Sequence, residues 1–210
     1  LANQYYGAVP ANPDLAERMR PQEPPQSAAR RLTYVDERVA QPYVTRSYLA
    51  PERDSGDQHR AAALTLLADV LSAGPTSVLT RKLQFGAQKA IYVNASYSGI
   101  SVDDTSFNLA ILPAEGVTLE QAEDALDQAI TEFMAEGIDA DQLTRIKMQY
   151  RASEIYARDN TNGLANAYGR ALASGLSLDD IHDWPDILQG VTAQEILDAA
   201  KAVFQINNSV

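Results

Sequence analysis

Strand-patterned segments occur in this chain as two adjacent pairs, each followed by helix-patterned sequence, and helices fill almost everything after the second pair. Strands that are neighbours in sequence pair antiparallel through short turns, whereas a parallel sheet needs a helix between successive strands. The order β β α α β β α α α α α, with room for a closing strand, therefore points to a two-layer α+β domain. Its sheet is expected to be largely antiparallel, with helices packed on one face.

The first pair begins after Arg30. Leu32 and Tyr34 alternate with Thr33 and Val35, Asp36–Arg38 makes a turn, and residues 39–49 are rich in β-branched and aromatic side chains before Ala50–Pro51. This predicts a hairpin, and Pro42 marks an edge or a bulge in its second strand, because proline cannot donate to a ladder. In the second pair Ile91, Val93, Ala95 and Tyr97 alternate with Tyr92, Asn94 and Ser96. Phe107, Leu109 and Ile111 repeat the pattern after the Gly99–Asp104 turn region, up to Pro113.

Helix signals are equally local. Residues 57–72 carry Leu64, Leu67, Val70 and Leu71 on one stripe and stop at Gly74–Pro75; a short helix over 76–84 follows. Thr118 with Gln121, Ser177 with Asp180 and Thr192 with Glu195 have the spacing of capping boxes, and Asp139 with Gln142 opens another helix. A further helix is predicted over 161–173, ending at Gly175, while 204–210 could begin a last strand.

Residues 1–28 hold five of the ten prolines, so this stretch reads as a linker or arm from a preceding domain, with a short helical turn at Leu15–Met19. Residues 29–210 then form a single α+β domain. The chain starts at Leu1 without a Met, which suggests a piece of something longer. No apolar run reaches the roughly 20 residues of a membrane span. The absence of Cys removes disulfides, thiol nucleophiles and Cys-ligated metals. Residues 1–60 are charge-balanced, and the whole net charge of −11 falls on 61–210. Such a surface repels phosphate backbones and anionic lipid, which argues against nucleic acid and membrane insertion and leaves a polypeptide partner open.

The two histidines, His59 and His182, fit neither H-E-x-x-H nor H-x-x-E-H, where two His on one helical face grip zinc beside a Glu base. His59 reads as a solvated or capping residue. Around His182 lie Asp179, Asp180, Asp183 and Asp186, but along one short segment they cannot all converge on an ion. Asp179 and Asp180 read instead as partners of a helix N-terminus. Ser72 and Ser77 have no nearby His, Gly74-Pro-Thr-Ser77 reads as a tight turn, and no phosphate-binding glycine motif is present. The residues themselves supply no self-sufficient catalytic apparatus and no metal site.

Several runs together resemble a known family. Arg38-Val-Ala-Gln-Pro-Tyr-Val-Thr-Arg-Ser-Tyr-Leu-Ala-Pro51 is similar to the strand that opens the second half of bacterial pitrilysin/insulinase-type zinc peptidases, in the processing-peptidase-like subfamily. Residues 62–83, Gly175-Leu-Ser through Val191-Thr to Phe204, and Tyr5-Tyr6-Gly resemble further segments of the same half, so the likeness covers nearly the whole chain. The resemblance implies a C-terminal half that closes a chamber and helps to hold an extended peptide. Zinc and its ligands would lie in a missing N-terminal half, and the fragment alone would be inactive. Its partner would be that half or a homologous subunit, in a homo- or heterodimer. A non-catalytic structural or assembly subunit of the same fold is the alternative. Bacterial relatives imply a periplasmic or envelope location, with a cytoplasmic one left open.

Some members place an Arg and, further on, a Tyr in this half to assist substrate binding. With one extra residue allowed, those positions fall on Gln84 and Tyr92. Gln cannot supply the charge, and Tyr92 also reads simply as a sheet-face aromatic.

Overall fold

The computed structural model describes residues 1–10, 12–16, 19, 26 and 28–210. Three strands, β1 (Val44–Ala50), β2 (Ala90–Tyr97) and β3 (Thr105–Pro113), form one antiparallel sheet in the order β1-β3-β2. Register places Ser47 opposite Asn108, and Asn108 opposite Ser96. Alternation sorts the faces: Tyr48, Phe107, Leu109, Ile111, Val93 and Ala95 are buried, while Ser47, Asn108, Ala110 and Asn94 lie on the other side and stay half-exposed.

The helices are α1 (Ala2–Tyr6), α2 (His59–Ser72), α3 (Leu119–Glu136), α4 (Ala140–Ala157), α5 (Thr161–Ala173), α6 (Leu178–Gly190) and α7 (Ala193–Val203). Helix α2 has nine of its fourteen residues buried, among them Leu64, Leu66, Leu67, Val70 and Leu71. A helix apolar on all sides belongs inside a protein, and α2 packs against β2, α4, α6 and α7 at once. The expected two-layer α+β architecture is present.

The local helix signals are realised. Thr118/Gln121, Ser177/Asp180 and Thr192/Glu195 each form the reciprocal capping box. Asp139 caps α4 by accepting from the amides of Asp141 and Gln142, with no return bond. Gly175, at φ +102°, ends α5 in a conformation that a side chain would strain.

Three expected elements do not form as read from the pattern. No strand forms over 32–35, where Leu32, Tyr34 and Val35 are more than 80% exposed. The turn after them does form, with the Val39 amide donating to the Asp36 carbonyl at 3.0 Å. The outer edge of β1 is occupied by the far end of the chain instead: Ser47 and Val210 exchange backbone bonds of 2.8 and 3.0 Å. That end is not a strand either. Ile206–Asn208 is a 3₁₀ turn, and a single bridge joins Ser209 to Tyr48. The helix expected over 76–84 becomes a turn of π-helix, Thr80–Gly86. The helical turn expected at Leu15–Met19 runs through residues 17 and 18, outside the described residues, as do Pro21, Pro24 and Pro25.

Candidate functional site

Between the π turn and β2 the chain departs from regular geometry three times within a dozen residues. The Ala87 amide reaches back five residues to the Lys82 carbonyl at 2.8 Å, which defines the π turn. Gln88 has φ +50°, a region that residues with a side chain rarely enter. The ladder between β2 and β3 then slips by one residue between Ala90 and Tyr92. This bulge has a direct effect on burial: Ala90 turns into the core, and Ile91, expected inside, is exposed. A π turn and a β-bulge each accommodate one residue more than regular helix or strand.

The irregular stretch is tied to α3 at its base. Leu83 is buried, and Lys82 Nζ donates to Glu132 at 2.7 Å and Glu136 at 2.8 Å on α3. Those two carboxylates raise the pKa of Lys82. Beside this anchor Phe85, Ile91 and Tyr92 are 63%, 53% and 48% exposed, on the π turn and on the start of β2, which the turn contacts. Tyr92 lies on the face away from the helices, where its hydroxyl accepts from Asn94 at 3.3 Å. Gln84 is half-buried on the π turn, which packs against β2. The structure thus sets Gln84 and Tyr92 on adjoining elements. Sequence reasoning missed Phe85 and Ile91, whose exposure depends on the π turn and the bulge.

Such exposed side chains can hold a chain by apolar contact; they contain no nucleophile–base pair. Ser77 is fully buried, donating to the Gly74 carbonyl at 2.8 Å, and Ser72 donates to the carbonyl of Ala95 at 3.0 Å. His59 stands exposed at the start of α2, 3.8 Å from Glu195. His182 on α6 bonds to the Tyr168 hydroxyl at 3.1 Å. Among the described residues no group of His, Cys, Asp or Glu is arranged to hold a metal ion, so these side chains do not fit zinc.

The buried polar residues tie elements together. Arg46 on β1 forks onto Asp127 and Glu123 of α3, the latter at 2.9 Å. Burial opposes the charge of Arg46, but Asp127 and the Tyr48 hydroxyl outweigh it and its pKa rises. Asp180 does more than cap α6. Its carboxylate also accepts from the Ser55 hydroxyl at 2.5 Å, the Gly56 amide at 2.8 Å and Gln58 at 3.2 Å. Bonds from Ser177 first, then from Ser55, hold its pKa far below the usual carboxylate range. A pKa depressed by folding supplies stability that is complete above the unfolded value, about 4, and is lost as pH falls toward the folded one. Asp180→Asn should therefore unfold at lower urea at pH 7, and its deficit against the parent should shrink below about pH 4. A deficit independent of pH would show that the charge of Asp180 contributes nothing.

A family model described as peptidase M16 inactive domain matches residues 1–150. No curated protein matches the chain. Among solved structures, a protease from Helicobacter pylori superposes with a TM-score of 0.87 at 17% identity, covering 99% of this chain and 49% of that one. A peptidase M16 inactive domain from Pseudomonas fluorescens gives 0.71 at 20% identity, covering 100% and 48%. An inactive peptidase domain from Bordetella parapertussis gives 0.70 at 17%, covering 84% and 94%. The chain spans about half the length of the first two, and at these identities the likeness is one of fold.

Proposed function

The chain belongs to the peptidase M16 inactive-domain family, and on that premise we propose that it is the substrate-holding half of a zinc-dependent metalloendopeptidase. The metal and the general base belong to a second half, of similar fold, that faces this one across a chamber. Residues 1–28 are the arm leading from that half, and 29–210 are the closing domain. The observation that carries this reading is the exposure of Phe85, Ile91 and Tyr92 on the π turn and β2, in a domain whose described residues hold no metal-binding group. An extended peptide lies across these elements, with Tyr92 and Gln84 as its contacts. The bulge between Ala90 and Tyr92 would accommodate the extra residue between these two positions.

The test is peptide cleavage by the chain alone and by the chain joined to the residues encoded before Leu1. The joined protein should cleave and lose activity to a chelator, and the chain alone should not. Within the joined protein, Tyr92→Ala should lower kcat/KM about tenfold, the size of one good contact, mostly through KM. Chelator-sensitive cleavage by the isolated chain would overturn the proposal.

One observation favours the second reading, an assembly subunit that holds a partner without turnover. Gln84 is neutral where an assisting cation would stand. A joined protein that forms a stable complex and cleaves nothing would support that reading.

A further inference from the structure

Arg53 follows β1 and is only 7% exposed. Its Nε donates to the Gln58 side-chain oxygen, its Nη2 donates to the Asp180 carbonyl at 2.6 Å, and its guanidinium carbon lies 3.8 Å from the Trp184 ring centre. Both bonded oxygens are neutral. The Asp180 carboxylate does not bond to Arg53 and accepts instead from Ser177, Ser55, Gly56 and Gln58. Among the described residues Nη1 makes no hydrogen bond and no fully buried side-chain nitrogen lacks a partner, so Nη1 is accessible on the cleft that Arg53 lines.

That cleft has a volume of about 310 Å³. It is bounded by Tyr97, Gly99 and Ile100 at the end of β2, by Trp184, and by a second cation, Arg170 of α5. No Asp or Glu lines it, and Arg170 forms no ion pair among the described residues. Burial lowers the pKa of Arg53 to about 10, partly offset by Asp180, so the side chain stays charged at neutral pH. A guanidinium that served only as a cross-link would gain nothing from a second arginine on the same cleft, because like charges repel. An anion between the two relieves both.

We propose that this cleft binds a carboxylate, with the open Nη1 of Arg53 as its fixed donor and Arg170 as a second contact. A carboxylate has two oxygens, so one can accept from Nη1 of Arg53 and the other from the Arg170 guanidinium, each as a charge-assisted bond. Its single negative charge also suits a molecule of net charge −11 better than a multiply charged anion would. The carboxylate can come from a peptide's free C-terminus or from an acidic side chain. The site stands whether or not the chain serves a peptidase.

Trp184 is the only tryptophan and lies on Arg53, so its emission reports on the cleft directly. The 210-residue chain is titrated with two pairs of short peptides. One pair differs in a free or an amidated C-terminus. The other, amidated throughout, differs in a central Glu or Gln. A saturable change with at least one acid form, and none with its amide counterpart, is the expected result; the pair that responds identifies the source. Arg53 also holds the fold, so the variant to use is Arg170→Gln on the solvent side, which should weaken binding about tenfold while leaving the unfolding midpoint unchanged. Equal responses to acid and amide forms, or full affinity in Arg170→Gln, would overturn the proposal.

Discussion

Phe107→Ala is expected to cost about 4 kcal/mol of stability and to lower the melting temperature by roughly 10 °C. Phe107 stands on β3, the central strand, and none of its surface is exposed. Its ring meets Phe204 edge-on with centroids 5.3 Å apart and stacks on Tyr97 at 6.4 Å. Phe204 in turn meets Tyr48 edge-on at 5.3 Å. Truncation removes the middle of this aromatic row, and the cavity is bounded on one side by a sheet that cannot collapse into it. Phe107→Leu keeps most of the volume and should cost less than half as much. Urea unfolding of the three proteins measures the series; a loss below about 1 kcal/mol for the Ala variant would mean that the row repacks freely.

Arg53→Ala is expected to cost about 3 kcal/mol, the second-largest effect. The substitution leaves the Gln58 oxygen and the Asp180 carbonyl without their donor in a buried setting and removes the cation from the Trp184 face. It also cuts one of the ties between α6 and the loop before α2. Arg53→Lys should recover only part of the loss, since an ammonium cannot reach two acceptors and lie flat on an indole at once. A Lys variant as stable as the parent would show that charge alone, without the fork, suffices.

Much of the helical layer was legible because its signals are local. A Ser or Thr three residues before a Glu, Asp or Gln meets its partner within one turn, and Gly175 ends a helix wherever that helix lies. Burial on β3 was equally readable, since a central strand with alternating Phe107, Leu109 and Ile111 has one inner face. The strand pattern of residues 32–35 was misleading because alternation describes a segment, whereas a strand requires an edge. That edge is claimed at Ser47 by residues more than 160 positions later. Ile91 departs from the alternation because a single-residue slip inverts inside and outside. The π turn has no compositional mark, so the exposure of Phe85 could not be foreseen.

The candidate site divides in the same way. Gln84 and Tyr92 were reached by resemblance, and the exposure of Phe85 and Ile91 became visible only with the backbone. The Asp180 cluster was half visible: its bond to Ser177 is a capping pattern, and its reach to Ser55 and Gly56 crosses more than 120 residues. Arg53, between two acidic residues in a loop, resembles an ordinary surface cation until Trp184 is brought over it.

Helix α2 belongs to both layers, since it touches the sheet on one side and α4, α6 and α7 on the others. The helical layer cannot peel away as a separate unit without wetting the leucines of α2, and the sheet, with only three strands, cannot persist without that cover. The sheet and the helices packed on α2 are therefore expected to open together.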